Sequence, residues 1–324
     1  MGATALVTGA TGFVGGHLIE RLAADGWRLR ALVRPTSDTR RLKQLGVECR
    51  VGALQDVAAV ARACAGADTV FHLAAVTGLR ADTDFHRANV EGTRGVVQGI
   101  LAAEPRPSRM VYLSSYAACG PTVDGRPRAP EDPLAPLTAY GRTKLAGEDE
   151  VRALEAEGVA VATLRAPAVY GPGDHALLPY FRLVRWGVAP APGGADRLLH
   201  LIFAPDLARA LAAAAEAPPG TYAVAEPVAH RWSEVVSAIA GAVGRRPVRV
   251  SLPPALVRVA AAVTEKVGRL AGRAAVFNRE KAEEMLAEGW MCDLRGSEVL
   301  LPAATPLVEG VARTAHWYRK QGWL

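Results

Sequence analysis

The chain has 324 residues, of which 50% are hydrophobic and 22% are charged, and its formal net charge is +6. This composition is typical of a globular protein with a large buried core and argues against an intrinsically disordered chain. The basic residues are spread along the chain instead of forming a dense stripe, so we expect no nucleic-acid partner. Because the sequence shows no long apolar run and no leader pattern, we expect no transmembrane segment and a cytoplasmic protein.

The four cysteines have no paired spacing, which argues against a zinc site and against a disulfide framework. We expect all four to be reduced thiols, namely Cys49, Cys64, Cys119 and Cys292. We also expect no bound metal ion.

The N-terminus reads as a short apolar strand at residues 5–8, followed by a glycine turn and a helix that begins near Phe13. Glycines at Gly9, Gly12 and Gly15 let the backbone turn tightly and approach a pyrophosphate. The phosphate charge is then balanced by the unpaired N–H groups and the positive dipole end of the helix. The turn therefore predicts a bound dinucleotide.

Beyond this turn, strand and helix patterns alternate as far as residue 164. The predicted strands lie at 28–34, 48–51, 69–74, 109–113 and 160–164, and the predicted helices at 39–45, 57–65, 85–103 and 140–157. Alternation with short connections is typical of a parallel sheet that is covered by helices on both faces. We therefore predict the α/β class, with a Rossmann-type doubly wound parallel sheet.

The alternation ends after Tyr170, where glycine and proline cluster at 171–173 and again at 190–194. The strands predicted at 198–203 and 221–224 stand alone between longer helical or irregular stretches. This half of the sequence is typical of a smaller unit that is added to the sheet.

We therefore expect two domains. Residues 1–169 form the dinucleotide-binding domain, to which strands return from about 198–226. Residues 170–324 form mainly a smaller α/β lid that binds substrate, because ligands of open α/β sheets lie beyond the carboxyl ends of the strands.

An amphipathic helix is predicted in the last quarter of the chain, where apolar residues repeat at helical spacing. Arg258, Glu265, Lys266 and Arg269 lie off this apolar stripe, which consists of Leu256, Val259, Ala260, Val263, Val267 and Leu270. Two interpretations stay open. We favour packing of the stripe onto the lid, and the alternative is weak association with a membrane surface.

Tyr140 and Lys144 are four residues apart and therefore lie on one face of a helix. A free tyrosine has a pKa of about 10, and a nearby cation lowers that pKa because it favours the phenolate. Tyr140 would then be a usable proton shuttle. Ser114 and Ser115 follow the strand 110–113, whose carboxyl end shares a sheet edge with the glycine turn. A hydroxyl at this edge can hydrogen-bond a substrate oxygen.

The sequence resembles the extended short-chain dehydrogenases/reductases, also described as the NAD-dependent epimerase/dehydratase group. The resemblance covers nearly the whole chain. It rests on six segments in order and spacing, namely TGATGFVG (8–15), FHLAA (71–75), NVEGT (89–93), VYLSS (111–115), YGRTK (140–144) and RAPAVYGPGD (165–174).

The resemblance implies a Rossmann-type fold and a catalytic group of Ser115, Tyr140 and Lys144. In that group Tyr140 exchanges a proton with the substrate oxygen, and Ser115 hydrogen-bonds the same oxygen. Lys144 lowers the pKa of Tyr140 and binds the ribose hydroxyls of the nicotinamide half. The hydride passes between a substrate carbon and the nicotinamide.

Further cofactor contacts are expected along the same sheet edge. They are Gly9, Thr11, Gly12, Phe13, Val14 and Gly15 in the turn, and Leu54, Leu73, Ala74, Ala75 and Pro167 in the later loops. For Asn89 we favour a tie to the backbone over a role in a proton relay. His72 is interpreted either as a cofactor contact or as a core histidine that is satisfied by its neighbours.

The end of the second strand bears on the choice of nicotinamide. NAD-specific sites place an acidic residue there to accept the adenosine ribose hydroxyls, whereas this chain has Arg34. A guanidinium pairs well with a 2′-phosphate, so we expect NADP to be preferred, with NAD as the alternative. Arg40, Arg41 and Lys43 add a small basic cluster nearby. The chain departs from its relatives at Ala53, where a carboxylate often meets the adenine.

The lid sequence bears on the substrate. Nucleotide-sugar enzymes of this group usually place an arginine for the diphosphate seven residues before an aspartate that opens a helix. Counting back from Asp206 gives Leu199, although Arg197 or Arg182 could reach the diphosphate from a shifted loop. The C-terminal segments from 290–293 onward resemble the 3β-hydroxysteroid dehydrogenase-like and hopanoid-associated branch, which handles large apolar alcohols and ketones.

We therefore predict an NAD(P)-dependent oxidoreductase that interconverts a secondary alcohol and a ketone on a bulky, mostly apolar small-molecule substrate. The alternatives are a nucleotide-sugar 4-epimerase or dehydratase, in which oxidation is transient, and a non-catalytic sensor that binds NADP. The resemblance also implies a homodimer that packs the helices 85–103 and 140–157 of each subunit into a four-helix bundle.

Overall fold

A computed structural model describes residues 2–77, 85–129, 131–271, 275 and 277–324. Strands of the N-terminal half are β1 (Thr4–Thr8), β2 (Arg28–Val33), β3 (Glu48–Val51), β4 (Thr69–His72), β5 (Arg109–Ser115) and β6 (Ala160–Ala166). Later strands are β7 (Ala168–Tyr170), β8 (Val188–Pro192), β9 (Leu198–Leu199), β10 (Leu201–Phe203), β11 (Gly220–Ala223), β12 (His230–Arg231) and β13 (Val248–Leu252).

The main sheet has seven strands in the order β3-β2-β1-β4-β5-β6-β11, and all of its pairs are parallel. Its first six strands follow the order of a dinucleotide-binding Rossmann sheet. The predicted fold class is therefore confirmed. The strand order reverses between β1 and β4, and ligands of such sheets bind in the crevice at this point.

Helices cover both faces of the sheet and also form much of the C-terminal half, the predicted lid. They are α1 (Phe13–Ala24), α2 (Arg40–Gln44), α3 (Val57–Cys64), α4 (Gly92–Leu101), α5 (Ala139–Ala156), α6 (Leu178–Arg185), α7 (Ala204–Ala213), α8 (Trp232–Val243), α9 (Pro254–Leu270), α10 (Arg279–Leu286) and α11 (Leu307–Lys320). A π-helical turn (His86–Glu91) leads into α4, and a 3-10 turn (Tyr116–Ala118) follows β5.

Side chains of the central strands alternate between two cores. Ala5 and Val7 face the core that contains α1 and α7, whereas Leu6 faces the core that contains α3, α4 and α5. Because both faces are covered, every residue of β1 is buried. Because helices pack on both faces of the sheet, the carboxyl ends of its strands, where the candidate site lies, are held in place.

The C-terminal half supplies three two-stranded sheets, which pair β7 with β10, β9 with β12, and β8 with β13. The strand predicted at 198–203 is divided into β9 and β10, and neither belongs to the main sheet. The strand predicted at 221–224 does join the main sheet, as β11. A third core connects α6, α8 and α11, with Tyr170, Phe181 and Tyr318 at its centre. The two-domain division stays a prediction.

The apolar stripe of α9 faces outward, so the favoured prediction that it packs onto the lid is wrong. The stripe residues Leu256, Val259, Val263, Val267 and Leu270 are all exposed. The opposite face of α9 is the packed one, and it buries Val257 and Ala261 against Leu252, Phe277, Ala282 and Leu286. Periodicity alone does not reveal which face of α9 packs against α10.

No helix of the described residues is long and apolar enough to span a bilayer. Over the same residues, no group of three or more histidine, cysteine or acidic side chains is arranged to hold a metal ion. Cys49, Cys64, Cys119 and Cys292 form no disulfide in this structure, and their reduced state stays a prediction.

Candidate active site

The glycine turn packs closely against neighbouring backbone and leads into an open helix end. Gly9 has φ of +75°, a left-handed conformation, and a Cβ there would lie 2.7 Å from the backbone nitrogen of Ala74. A Cβ at Gly15 would collide with the carbonyl oxygen of Gly9. Gly12 caps α1 without any side-chain hydrogen bond, so the helix end stays open for an anion. Thr11 is exposed beside it, and Phe13 and Val14 are half-buried.

A cavity of about 230 Å³ lies between this turn and the loop after β2. Thr11 and Gly12 line one side, and Asp38 and Arg41 line the other. The guanidinium of Arg41 pairs with Glu20 of α1. Both carboxylate oxygens of Asp38 accept hydrogen bonds from the exposed Arg40, which lowers the pKa of Asp38 to about 2. The cavity is therefore bordered by charges of both signs.

Arg34 follows directly after β2 and is exposed. Its loop closes in a short turn, in which the Ser37 N–H donates to the Arg34 carbonyl at 3.0 Å. In the reverse direction, the Arg34 N–H donates to the Ser37 hydroxyl at 3.2 Å. This turn fixes the backbone from which the Arg34 side chain extends.

His72 is a satisfied core histidine. Its Nδ1 lies 2.6 Å from the Thr8 hydroxyl, and its Nε2 lies 2.9 Å from the Thr93 hydroxyl. Because Thr93 donates its hydrogen to the Asn89 carbonyl, counting donors assigns the His72 proton to Nε2. Thr8 in turn accepts a 3.3 Å hydrogen bond from Ala74 N–H. Burial lowers the His72 pKa to about 3, so the ring stays neutral.

Asn89 holds the loop that follows β4. Its Oδ1 accepts from the Val76 N–H at 2.8 Å, and its Nδ2 donates to the Val76 carbonyl at 3.1 Å. A further hydrogen bond joins Nδ2 to the Thr143 hydroxyl at 3.1 Å. Asn89 is thus the backbone tie that the sequence favoured, and it holds Val76, which directly follows Leu73, Ala74 and Ala75 in the loop.

Two other predicted cofactor residues lie at the same end of the sheet. Leu54, in the loop after β3, packs on Gly92 and Gly95, where a Cβ at Gly95 would collide with the Leu54 carbonyl oxygen. Pro167 lies between β6 and β7 and is half-buried. These positions border the carboxyl ends of the strands.

Ser115 and Tyr140 meet where β5 ends and α5 begins. Thr138 caps α5 through a 3.1 Å hydrogen bond from the Gly141 N–H, which places Tyr140 in the first turn. Burial raises the Tyr140 pKa to about 12, and the Ser115 side chain opposes that shift. The Ser115 hydroxyl oxygen accepts the Ala117 N–H at 3.2 Å, so its own hydrogen is free to be donated.

Lys144 is buried and contacts Tyr112 of β5. Its Nζ donates to the Tyr112 hydroxyl at 2.8 Å and lies 4.2 Å from the centre of the Tyr112 ring. Burial lowers the Lys144 pKa to about 7. The sequence predicted that Lys144 lowers the pKa of Tyr140, but in this structure the ammonium contacts Tyr112 and burial raises the Tyr140 pKa.

A buried polar network behind Lys144 was not predicted. Glu148 of α5 accepts a hydrogen bond from Ser114 at 2.5 Å and pairs with Arg165 of β6 at 2.6 Å and 3.0 Å. The negative charge of Glu148 raises the Lys144 pKa and so opposes the effect of burial. One signal was available, since Glu148 lies one helical turn beyond Lys144 on the same face of α5.

The lid helix α10 contacts the start of α5. Glu280 accepts a 2.6 Å hydrogen bond from the Ala139 N–H, and Glu284 accepts a 3.4 Å hydrogen bond from the Thr138 hydroxyl. The Glu284 carboxylate also raises the pKa of Tyr140. Helix α10 therefore contacts the residues beside Tyr140 and also shifts the Tyr140 pKa through the charge of Glu284. No sequence motif indicated this.

Both arginines that the sequence offered for a diphosphate are bonded to the backbone of the lid. Arg197 donates to three carbonyl oxygens, those of Pro192, Leu286 and Ala287, at 2.7, 3.2 and 2.6 Å. Arg182 donates to the Trp323 carbonyl at 3.0 and 3.1 Å. These guanidinium groups tie loops together.

Comparison with known proteins supports one family along most of the chain. The model of the NAD dependent epimerase/dehydratase family matches residues 5–225. Ceramide reductase of Caulobacter vibrioides is 32% identical over 322 residues, which cover 98% of this chain and 95% of that protein. Sterol demethylase protein B of Methylococcus capsulatus is 35% identical over 175 residues, and that match covers 53% of each chain.

The solved structure of MoeE5 in complex with UDP-glucuronic acid and NAD is similar over the lid as well as the sheet. It has a TM-score of 0.76 and 27% sequence identity, and the match covers 98% of this chain and 100% of that chain. The fold of the whole chain is therefore one that other proteins of solved structure share.

Proposed function

The chain belongs to the NAD dependent epimerase/dehydratase family, an extended short-chain dehydrogenase/reductase family of enzymes, and from this premise we propose that it interconverts a secondary alcohol and a ketone on a bulky, mostly apolar substrate. The observation that carries the proposal is the meeting of Ser115 and Tyr140 at the sheet edge that also holds the glycine turn.

The residues at this edge fit NAD(P). Gly9 and Gly15 allow the backbone to pack tightly at the turn, where a Cβ would collide with neighbouring backbone, and the uncapped start of α1 suits a pyrophosphate. We assign Gly12, Phe13, Leu73 and Ala74 to the walls of this site. When bound, the cofactor supplies or accepts the hydride. What remains for the protein is to hold the substrate oxygen and to move its proton.

Tyr140 and Ser115 carry out these two tasks in our proposal. A Tyr140 pKa of about 12 keeps the phenol protonated at neutral pH, which suits the donation of a proton to a carbonyl oxygen. Ser115 donates its free hydroxyl hydrogen to the same oxygen and stabilises the charge that develops there. Lys144, whose pKa is about 7, supplies a buried amine or ammonium one helical turn away.

The substrate class is inferred from the lid. Because the guanidinium groups of Arg182 and Arg197 donate to backbone carbonyls, neither is positioned to bind a diphosphate. The names of the two curated relatives refer to a ceramide and a sterol, which are lipids. An apolar ketone or alcohol therefore fits better than a nucleotide sugar.

We also propose that NADP is preferred. Arg34 and Arg41 flank the loop where the adenosine ribose would lie, and a guanidinium pairs well with a 2′-phosphate. Asp38 borders the same cavity and would favour NAD instead. Titrating wild type and Arg34→Ala with NADPH and with NADH tests which of the two cofactors is preferred. We expect Arg34→Ala to bind NADPH about tenfold more weakly than wild type does, and to bind NADH with little change. Tighter NADH binding by wild type would contradict the preference.

The reaction is tested by following reduced-nicotinamide absorbance with long-chain and sterol-sized ketones, and with a UDP-sugar as the comparison. We expect net oxidation of the cofactor with the apolar ketones and no reaction with the UDP-sugar. Conversion of the UDP-sugar to an epimer without net change in the cofactor would overturn the proposal in favour of an epimerase.

Tyr140→Phe tests the proton donor. We expect turnover to fall about 10²–10⁴-fold, the usual contribution of a positioned acid, with cofactor affinity nearly unchanged. Tyr222→Phe is the matched control, because Tyr222 lies on β11 and its hydroxyl donates to the Pro218 carbonyl, away from the site. Equal turnover in the two variants would remove the role assigned to Tyr140. Full cofactor binding without turnover by wild type on any substrate would favour the sensor.

A further inference from the structure

The outer face of α9 is a row of exposed apolar side chains. Their exposed fractions are large, at 52% for Leu256, 59% for Val259, 56% for Val263, 59% for Val267 and 81% for Leu270. They recur every three or four residues and so lie on one side of the helix. Since the opposite side is packed against α10, this row has solvent in front of it.

The strand before α9 continues the apolar surface. Strand β13 leads into α9 through Pro253 and pairs with β8, so that Val248 lies beside Val188. Exposed apolar side chains on this pair, and two residues before β8, are Trp186, Val188, Val248 and Val250. Exposed apolar area on a soluble protein that is continuous over several elements marks an interaction surface.

The same segment is richer in basic than in acidic residues. Residues 245–270 contain six basic residues and one acidic residue, a net charge of +5 against +6 for the whole chain. The acidic one, Glu265, pairs with Arg269, and Glu283 of α10 pairs with Arg258. Arg249 lies 3.9 Å from Asp196, and the other basic side chains of the segment are Arg245, Arg246 and Lys266. The surface is therefore both apolar and basic.

We propose that residues 245–270 form a docking face for an anionic lipid bilayer, with the apolar row of α9 lying in the plane of the headgroups. An amphipathic helix with basic flanks and exposed valine and leucine has the chemistry that binds such an interface. A second copy of this chain is a poorer partner, because a two-fold contact through this face would bring two strongly basic segments together.

The position of the docking face suits a lipid substrate. Helix α9 packs on α10, and α10 contacts the start of α5 through Glu280 and Glu284, next to Tyr140. A bilayer under α9 would thus lie two helices from the proposed proton donor. This consequence rests on the proposed function, whereas the docking itself does not.

Vesicle flotation tests the docking. The full chain is mixed with vesicles of equal parts phosphatidylglycerol and phosphatidylcholine, and with vesicles of phosphatidylcholine alone. We expect flotation with the anionic vesicles, at least about tenfold weaker binding to the neutral ones, and loss of binding in about 0.5 M salt. No flotation with either vesicle would overturn the proposal.

Variants distinguish binding through the α9 face from nonspecific binding to vesicles. Val263→Glu with Val267→Glu should reduce binding at least about tenfold, because both residues would be buried among the lipids. Val299→Glu with Val308→Glu is the matched control, since these valines are 59% and 69% exposed elsewhere. Arg245→Gln with Arg246→Gln should weaken anionic binding about fivefold for each charge removed. Equal loss in the control pair would overturn the assignment to α9.

Two further readouts keep the outcomes distinct. Sedimentation of wild type and Val263→Glu/Val267→Glu should give the same mass, including that of a dimer through α4 and α5. A dimer that dissociates in this variant would identify a second copy as the partner and overturn the proposal. Reduction of a short, water-soluble ketone should be equal in both proteins. Failure of wild type to reduce any ketone would instead count against the proposed function.

Discussion

Arginine side chains near the site have different partners in the sheet half and in the lid half of the molecule. In the sheet half, Glu148 and Arg165 contact each other beneath Lys144, with Ser114 completing the network. In the lid half, Arg197 and Arg182 end on backbone carbonyls. The sheet therefore keeps titratable groups close to one another, where each changes the pKa of its neighbours. The lid uses its guanidinium groups to hold loops.

This difference suits two separate tasks, namely proton transfer at the sheet edge and the positioning of loops in the lid half. A reaction that moves a proton needs titratable groups in contact, and the sheet edge provides them. If the C-terminal half encloses an apolar substrate, as we propose, it needs walls without free charges, and the carbonyl-bonded Arg197 and Arg182 are consistent with that need. Breaking one interaction in each half tests whether this contrast is real.

Arg165→Met gives the largest expected effect, because it leaves the Glu148 carboxylate buried without its partner. Removing one member of a buried pair typically costs about 3–5 kcal/mol in the free energy of unfolding. Arg94→Met is the control, since Arg94 and Glu150 form an exposed pair whose loss should cost at most about 1 kcal/mol. Urea unfolding of both variants measures the costs. Similar costs for the two pairs would contradict the role given to burial.

Lys144→Met should reduce turnover strongly yet raise stability by about 1–3 kcal/mol at pH 7, because a buried ammonium is replaced by an apolar side chain. The folded pKa is about 7 against 10.5 for the free group, so the unfolded chain binds more protons in between. Wild type should therefore gain stability relative to Lys144→Met as the pH rises from about 7 to 10. A pH-independent difference between the two proteins would contradict the lowered pKa.

The sheet half was predictable from sequence because its rules are local. Strands β1 to β6 and the glycine turn follow from apolar runs, helix spacing and the need for bare backbone beside a phosphate. Ser115 and Tyr140 follow from their places at the ends of elements. The contact of Lys144 with Tyr112 could not be predicted from sequence, because the fold decides whether Tyr112 or Tyr140 lies within reach of the buried Lys144 ammonium.

The lid was less predictable because its contacts join distant parts of the chain. Arg197 bonds to residues 286 and 287, and the carboxylates of α10 contact Thr138 and Ala139. Nothing in the local pattern marks such pairs. The spacing within α9 revealed an apolar stripe, but the side that packs is decided by α10, which contributes Ala282 and Leu286.

Arg197→Met tests the lid arginines and should cost about 1–3 kcal/mol, since three carbonyl oxygens lose their donor. Arg231→Met is the control, because Arg231 reaches only one carbonyl, that of Asp196, at 3.4 Å. Urea unfolding gives both values. If Arg197→Met instead left stability unchanged and weakened the turnover of a nucleotide sugar, Arg197 would be a substrate ligand.

Glu284→Gln gives the smallest expected effect and tests whether the lid acts on the chemistry. The Glu284 carboxylate raises the Tyr140 pKa, so replacing it with a neutral amide should lower that pKa slightly. Alcohol oxidation requires the phenolate and should therefore rise at a slightly lower pH in the variant. Glu283→Gln is the control on the same helix, because Glu283 pairs with Arg258 instead. The pH profile of kcat/KM for oxidation measures the shift. A profile that moves equally in both variants, or to higher pH in Glu284→Gln, would show that the lid contact with α5 is structural only.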